Sequence, residues 1–245
     1  MILNVDIIIL KYMLEDSNEV GYYNSVKAIS SVILGLGLAI SNTLLPNVSK
    51  IKEAGGKENM EIMINKLLSY LIIFMLPLCV FISANSQEVI NLFFPDEYSI
   101  AGYTLSILVF AVALLSIFII LGSIFNGLGR PKVPLFVSIS VLFIYFFLSY
   151  KLVFSIGFAG VAFASLACNF YGVSFLFTLI KKEYAILLFS KHNILFLFVN
   201  IIIYIAMFFL SLDILNLLLF SIPVYLIYLK IITFFSPKSL NLSIS

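Results

Sequence analysis

Long apolar blocks separated by short polar segments constrain the fold of this chain more than any other feature of its sequence. Each block approaches the roughly 20 residues that a helix needs to cross the roughly 30 Å hydrocarbon core of a bilayer. The chain is 62% hydrophobic and 11% charged, whereas soluble domains carry about a quarter charged residues. The pattern therefore predicts an all-α, polytopic integral membrane protein, and its unbroken apolar runs are unlike the alternating strands of a membrane barrel.

The apolar blocks predict one partial span followed by seven complete spans. The partial span is 1–14, and the complete spans are 23–46, 62–84, 101–127, 131–151, 158–180, 193–211 and 213–235. As a helix, residues 1–14 cover only about 21 Å, and they lack the basic flank and small-residue cleavage site of a signal peptide. We therefore expect the outer part of a longer span here, and a chain that is the C-terminal portion of a larger transporter. A genuine short start is the alternative.

Charged residues between the spans predict their orientation. Lysine and arginine concentrate in 47–66, in "GRPK", in "KKEY" and near the C-terminus, while the intervening loops are mainly acidic. Because basic loops remain on the cytoplasmic side of a membrane, these segments and the C-terminus are predicted to be cytoplasmic.

The second predicted span carries a line of polar and small residues. At 100° per residue, Asn24, Lys27, Ser31, Gly35 and Asn42 fall within an arc of about 80°. Polar groups facing lipid would lose their water without compensation, so this line should face another helix or a water-filled cavity. Lys27 lies near the outer end, where it either extends to the lipid headgroups or lines a central cavity and attracts an anionic group.

Asp6 is the acidic residue well inside a predicted span. It either pairs with Lys27 or Lys11 and merely holds helices together, or it faces the cavity. Asn4 and Lys11 share one helix face and Asp6 points elsewhere, so the three cannot line one cavity equally. The candidate residues of a substrate cavity are Asn24, Lys27, Ser31, Asn42, Asp6 and Lys11.

Known catalytic and cofactor motifs are absent from the sequence. There is no GxxxxGK[ST], no metal-ligand spacing and no Ser/His/Asp constellation. Cys79 and Cys168 are interpreted as small buried packing residues, and His192 as an interfacial residue. We therefore predict no catalytic residues, no metal, no cofactor and no nucleic-acid partner, and we do not expect an enzyme.

Two segments outside the spans have predicted local structures. "NGLGRPK" combines a helix-ending Gly129 with Pro131 at the start of the next helix, which is typical of a tight hairpin. The longer segment 47–66 is predicted to form a surface helix that breaks at Gly55 and Gly56. Pro77 and Pro223 lie inside spans and predict kinks.

Several runs in this order resemble the Wzx-type lipid-linked oligosaccharide flippases, which are polysaccharide transporters of the multidrug/oligosaccharidyl-lipid/polysaccharide exporter superfamily. The runs that carry the resemblance are "NVDIIILKYMLEDSNEVGYYNSVKAIS…LLPNVSK", "INLFFPDEYSIAGYTLSILVFA", "FNGLGRPKVPLFVS" and "SIGFAGVAFASLACNF". They are similar to the family from its seventh span onward, and together they cover nearly the whole chain.

The resemblance implies the C-terminal portion of a MATE-like transporter, spans 7–14. Residues 1–181 would form a six-helix lobe with a truncated first span, and 182–245 two additional spans and a short tail. The first lobe would be missing. The implied location is the bacterial cytoplasmic (inner) membrane, with a cytoplasmic C-terminus.

The resemblance also implies a substrate, a short glycan on undecaprenyl pyrophosphate that is moved to the outer leaflet for O-antigen or capsule synthesis. Implied partners are this lipid-linked oligosaccharide, membrane lipids, the N-terminal lobe and the polysaccharide polymerase machinery. Lys27, with Lys11, would offset the charge of the pyrophosphate.

Three other functions fit the sequence. An ion-coupled multidrug antiporter of the same superfamily would use Asp6 as its coupling carboxylate. A lipid II flippase would differ in the precursor that it moves. The chain could also be a non-functional fragment of a split gene.

Overall fold

A computed structural model describes residues 5–14, 17–54, 56–184 and 198 of the chain. The part from residue 5 to residue 184 is built of α-helices, with one 3₁₀ turn at Asp96–Ala101 and no strand among the described residues. The helices are α1 (Val5–Met13), α2 (Ser17–Glu53), α3 (Lys57–Ala84), α4 (Ser86–Phe93), α5 (Gly102–Gly127), α6 (Lys132–Ile156) and α7 (Ala159–Glu183).

Five helical segments in this part are long and apolar enough to cross a membrane. They are Asn18–Glu53, Lys57–Ala84, Asp96–Gly127, Lys132–Ile156 and Ala159–Glu183. They coincide with the first five complete spans expected from the sequence, so the all-α membrane fold and these five positions are confirmed. The predicted span 213–235, together with His192 and Pro223, lies outside the described residues, and of the predicted span 193–211 the structure describes residue 198 alone.

Helix α2 is longer than the predicted span 23–46 at both ends, and it continues through Pro46 to Glu53. A proline inside a helix removes one backbone donor, which leaves the Asn42 carbonyl without its usual partner but does not force the helix to end. At 1.5 Å per residue α2 measures about 55 Å, so it extends beyond a hydrocarbon core of about 30 Å. The predicted surface helix of 47–66 is thus the end of α2 and the start of α3, with the break near Gly56.

Helix α5 is the centre of the bundle. Its buried face contacts α2, α3 and α7, and polar side chains connect it to each of them. Ser116 Oγ donates to the Ile33 carbonyl of α2 at 3.4 Å, and Ser83 Oγ of α3 donates to the Ser106 carbonyl at 3.0 Å. The hydrocarbon core contains no water, so polar groups there need hydrogen-bond partners within the protein, and these bonds provide them.

Glycines bring α2 and α5 into direct contact at two levels. A Cβ built on Gly37 would lie 2.6 Å from Ser116 Oγ and 3.1 Å from the Ser116 Cα. Near the other end, a Cβ built on Gly127 would lie 2.6 Å from Val48 Cγ1. Small residues allow this backbone approach, which increases van der Waals contact where the hydrophobic effect between helices is weak.

The α5–α6 connection is a tight hairpin, as predicted. Gly129 has φ of 73°, its N–H donates to the Asn126 carbonyl, and the Arg130 N–H donates to the Phe125 carbonyl, both at 2.9 Å. These are the two bonds of a Schellman motif. The Lys52 ammonium of α2 donates to the Leu128 carbonyl at 2.7 Å, which fixes the end of α2 against the hairpin.

Candidate functional site

A cavity of about 620 Å³ opens between helices α1, α2, α5, α6 and α7. Most of its wall is apolar and comes from α2, α5 and α6, including Leu34, Leu108, Phe118 and Val141. A smaller group of polar and charged side chains lines the remainder. The cavity thus combines hydrocarbon walls with a localised polar region.

An ion pair between α1 and α2 forms the charged part of the cavity. Lys27 Nζ lies 2.7 Å from Asp6 Oδ1. The Tyr23 hydroxyl donates to Asp6 Oδ2 at 3.0 Å, and the Ile7 N–H donates to Asp6 Oδ1 at 2.9 Å. Each oxygen of the carboxylate therefore accepts at least one hydrogen bond, as a buried charge requires.

The sequence explains why these groups meet. Tyr23 and Lys27 are four residues apart in α2, so they lie on one helix face, one turn apart. Asp6 lies in the first turn of α1, which packs against α2 and α6. The side chains of Lys27 and Asp6 are 24% and 14% exposed. The pair is therefore largely withdrawn from solvent but remains accessible from the cavity.

Helices α6 and α7 complete the polar lining. Ser138 and Tyr145 come from α6, and Ser165 and Asn169 from α7. Asn169 Nδ2 donates to the Ala111 carbonyl of α5 at 2.9 Å and to Ser165 Oγ at 3.2 Å. This side chain therefore both borders the cavity and connects α7 to the central helix.

Three of the six residues predicted for the substrate cavity line it together: Asp6, Lys27 and Ser31. Of the two partners considered for Asp6, the structure pairs it with Lys27. In this contact the Lys27 ammonium lies at the cavity.

The other three predicted residues are not among the described cavity-lining residues: Lys11, Asn24 and Asn42. All three are exposed on α1 or α2. A Cβ built on Gly35, which belongs to the same line on α2, would meet nothing within 4 Å. Much of this line of α2 residues is therefore exposed. The cavity lies between α2 and helices α5, α6 and α7, and it does not run along the length of α2.

Sequence reasoning missed the contributions of Tyr23, Tyr145, Ser165 and Asn169. A single tyrosine in an apolar helix gives no periodic signal, because its importance depends on which helix packs against it. Ser165 and Asn169 did carry a signal, a polar pair at four-residue spacing in a largely apolar span. Cys79 and Cys168 are both buried, as predicted, and Cys168 also borders the cavity.

The arrangement is suited to binding an amphiphilic molecule. It offers one ammonium, one carboxylate, hydroxyls and an amide beside a large apolar wall, which is a lining complementary to an amphiphilic molecule. Among the described residues, no group of three or more His, Cys, Asp or Glu side chains could hold a metal ion.

Comparisons with known proteins identify relatives of this architecture. The sequence profile of the MatE family matches residues 1–151. The chain is 24% identical over 161 residues to the "Probable low-salt glycan biosynthesis flippase Agl15" of Haloferax volcanii. It is 27% identical over 135 residues to the "Uncharacterized membrane protein MJ1068" of Methanocaldococcus jannaschii.

A solved structure shows the same fold. The "Lipid II flippase MurJ, inward closed conformation" superposes with a TM-score of 0.74 over 89% of this chain, at 19% sequence identity.

These matches cover 66% of this chain but 34% of the Haloferax protein, and 55% of this chain but 25% of the Methanocaldococcus protein. The MurJ match covers 48% of that protein. The chain thus spans less than half the length of each relative. Since the family profile covers well over half of the chain, and the fold and the relatives agree with it, the chain belongs to the MatE family of the multidrug/oligosaccharidyl-lipid/polysaccharide exporter superfamily.

Proposed function

We propose that this chain is the C-terminal part of a flippase that moves an undecaprenyl-pyrophosphate-linked oligosaccharide across the bacterial cytoplasmic membrane for O-antigen or capsule synthesis. In this proposal residues 1–181 form one lobe and 182–245 two further spans, with the C-terminus in the cytoplasm. An N-terminal lobe supplies the opposite wall of the transport pathway. The polymerase machinery then receives the translocated glycan.

The observation that carries the proposal is the position of Lys27, a cation bordering an apolar cavity between helices of membrane-spanning length. A lipid pyrophosphate needs both features, because its phosphates require a positive charge and its isoprenoid chain requires an apolar surface. The similarity to a protein named as a probable glycan biosynthesis flippase supports the glycan as the cargo.

The physical role of the site is to lower the cost of moving a charged headgroup through the bilayer. A charge placed in hydrocarbon without a partner is expensive, and Lys27 supplies part of the compensation. Movement of one lobe relative to the other would then expose the site to each side of the membrane in turn.

The proposal is tested by Lys27→Ala in the intact transporter, with Lys11→Ala as the matched control. Both changes remove one lysine, but Lys27 borders the cavity and Lys11 lies exposed on α1. We expect Lys27→Ala to lower glycan export about tenfold, the effect of losing about 1.4 kcal/mol of stabilisation, and Lys11→Ala to change it little. Normal export by Lys27→Ala, at normal protein level, contradicts the proposal.

A lipid II flippase is the second candidate, because the MurJ structure shares this fold. The two functions are separated by the precursor that accumulates when the transporter is lost. Accumulation of lipid II, with no accumulation of the lipid-linked oligosaccharide, favours the second candidate. Drug efflux that depends on Asp6, with glycan export unaffected by Asp6→Asn, instead favours an ion-coupled antiporter.

A further inference from the structure

The α7 side of the cavity carries a hydroxyl and an amide, with an aromatic ring beside them. Ser165 and Asn169 of α7 and Phe118 of α5 all line the cavity. Ser165, Asn169 and Gly172 follow one another at spacings of four and three residues, so they share one face of α7. A Cβ built on Gly172 would lie 3.0 Å from two ring carbons of Phe118. The ring therefore packs against the same face of α7 that presents the amide and the hydroxyl.

The Asn169 amide is held with its oxygen available for a ligand. Its Nδ2 donates to the Ala111 carbonyl and to Ser165 Oγ, which uses both amide hydrogens and fixes the orientation of the group. Among the described residues, nothing donates to Asn169 Oδ1, and this atom is not sealed inside the protein. Ser165 Oγ accepts from Asn169 and donates to no described residue. The pair thus offers one acceptor and one donor to the cavity.

We propose that Phe118, Ser165 and Asn169 form a subsite for one sugar ring of the lipid-linked oligosaccharide. The inference rests on the proposed function, in which Lys27 binds the pyrophosphate. A pyranose carries hydroxyls around its rim and C–H groups on its faces, and the C–H groups pack well on the negative face of an aromatic ring. Neighbouring sugar hydroxyls can donate to Asn169 Oδ1 and accept from Ser165. An isoprenoid chain in the same place would leave both polar groups without partners, which is unfavourable.

This sugar subsite lies at the same depth in the bundle as Lys27. Helices α2 and α5 run side by side in the same direction, and Ser116 Oγ of α5 donates to the Ile33 carbonyl of α2. Ala111, the partner of Asn169, precedes Ser116 by five residues, and Lys27 precedes Ile33 by six. The amide of α7 and the ammonium of α2 therefore border the cavity at one level. This arrangement suits a sugar joined directly to the pyrophosphate, with its phosphates at α2 and its ring at α7.

The test compares undecaprenyl pyrophosphate with and without one galactose unit for binding to the full chain in nanodiscs of zwitterionic lipid. For the wild-type protein we expect the galactose-bearing lipid to bind about tenfold tighter, the effect of one or two neutral hydrogen bonds. Phe118→Leu and Ser165→Ala should each lower this ratio about threefold or more and leave binding of the sugar-free lipid unchanged. Ser165→Ala removes the hydroxyl but keeps the bond from Asn169 to the Ala111 carbonyl.

Phe175→Leu and Ser174→Ala are the matched controls, because both residues are exposed on α7 and neither is among the described cavity-lining residues. Both controls should keep the wild-type ratio. Binding of the sugar-free lipid shows that each variant is folded. A wild-type ratio near one overturns the inference, and so does a ratio that stays at the wild-type value in either Phe118→Leu or Ser165→Ala.

Lys27→Met separates this inference from the proposed function. It should weaken the binding of both lipids equally and leave their ratio unchanged. If Lys27→Met weakens binding of the sugar-free lipid while Ser165→Ala keeps the wild-type ratio, only the sugar subsite is wrong. If Lys27→Met binds the sugar-free lipid as well as the wild-type protein does, the proposed pyrophosphate site is wrong.

Discussion

Gly37 of α2 packs so closely against Ser116 of α5 that a Cβ added to Gly37 would overlap the Cβ of Ser116. The obstacle includes the Ser116 Cα, 3.1 Å from the added atom, so it cannot be removed by rotating a side chain. This close contact between α2 and α5 thus depends on a residue without a side chain. Gly35, one half-turn away, faces open space.

This contrast predicts opposite effects of one substitution at two neighbouring positions. Gly37→Ala should destabilise the protein by about 1–3 kcal/mol, because an overpacked contact forces the backbones apart. Gly35→Ala should be neutral or stabilising by up to about 1 kcal/mol, since alanine favours the helix and meets no neighbour. Thermal unfolding of the two variants in the same detergent measures the difference, and equal midpoints would show that α2 and α5 are not in contact there.

The α5–α6 hairpin should depend on the left-handed conformation of Gly129. Gly129→Ala should cost about 1–2 kcal/mol, because a Cβ is unfavourable at this φ. Gly129→Asn should cost less, since asparagine adopts the left-handed region more readily. We expect the folded fraction after heating to be highest with glycine at position 129, lower with asparagine and lowest with alanine. If alanine equals asparagine, the Schellman motif is not the reason for the glycine.

Asn169 should stabilise the attachment of α7 to α5. Asn169→Leu removes the bond to the Ala111 carbonyl and should lower the free energy of unfolding by about 0.6 kcal/mol and at most about 1.7 kcal/mol, the average and the maximum for side-chain hydrogen bonds between membrane helices. Thr178→Val is the control, because Thr178 is exposed and its hydroxyl donates to Ser174 of its own helix. An equal loss in both variants would show that the contact between helices contributes nothing.

The threading of α3 can be tested with single cysteines at its two ends. Lys57 begins α3, and Glu97 follows α3 and α4. Twenty-eight residues of helix measure about 42 Å, so the two positions should lie on opposite sides of the membrane. In sealed vesicles, an impermeant thiol reagent added outside should label only one of Lys57→Cys and Glu97→Cys. Labelling of both from the same side would show that α3 does not cross.

The positions of the membrane helices were predictable because they depend on a property of single segments. Twenty apolar residues in sequence must be buried in hydrocarbon, and this placed the five described spans, although their helices extend beyond the predicted bounds by up to seven residues. The end of α2 was not predictable in the same way, because Pro46 is compatible with either a helix end or a continuing helix. The Lys52 contact with the α5–α6 hairpin, which holds the continuation in place, involves residues 76 apart in sequence.

The cavity was only partly predictable, for a related reason. Periodicity shows which residues share a face of one helix, and it correctly grouped Lys27 with Ser31. It cannot show where another helix covers that face, and so Asn24 and Asn42 were grouped with them although the structure leaves both exposed. The contribution of Tyr23 was not predicted, because it depends on a hydrogen bond to Asp6, a residue of another helix.

The most direct test of the account is a photocrosslink from the cavity to its ligand. A photoreactive residue would replace Ser31, which lines the cavity, or its neighbour Val32, which is 59% exposed and points about 100° away around the helix. In cells that make the intact transporter and its glycan, the Ser31 variant should crosslink to the lipid-linked oligosaccharide and the Val32 variant should not. A crosslink from Val32 alone, or from neither position at normal protein level, would contradict the assignment of this cavity to the substrate.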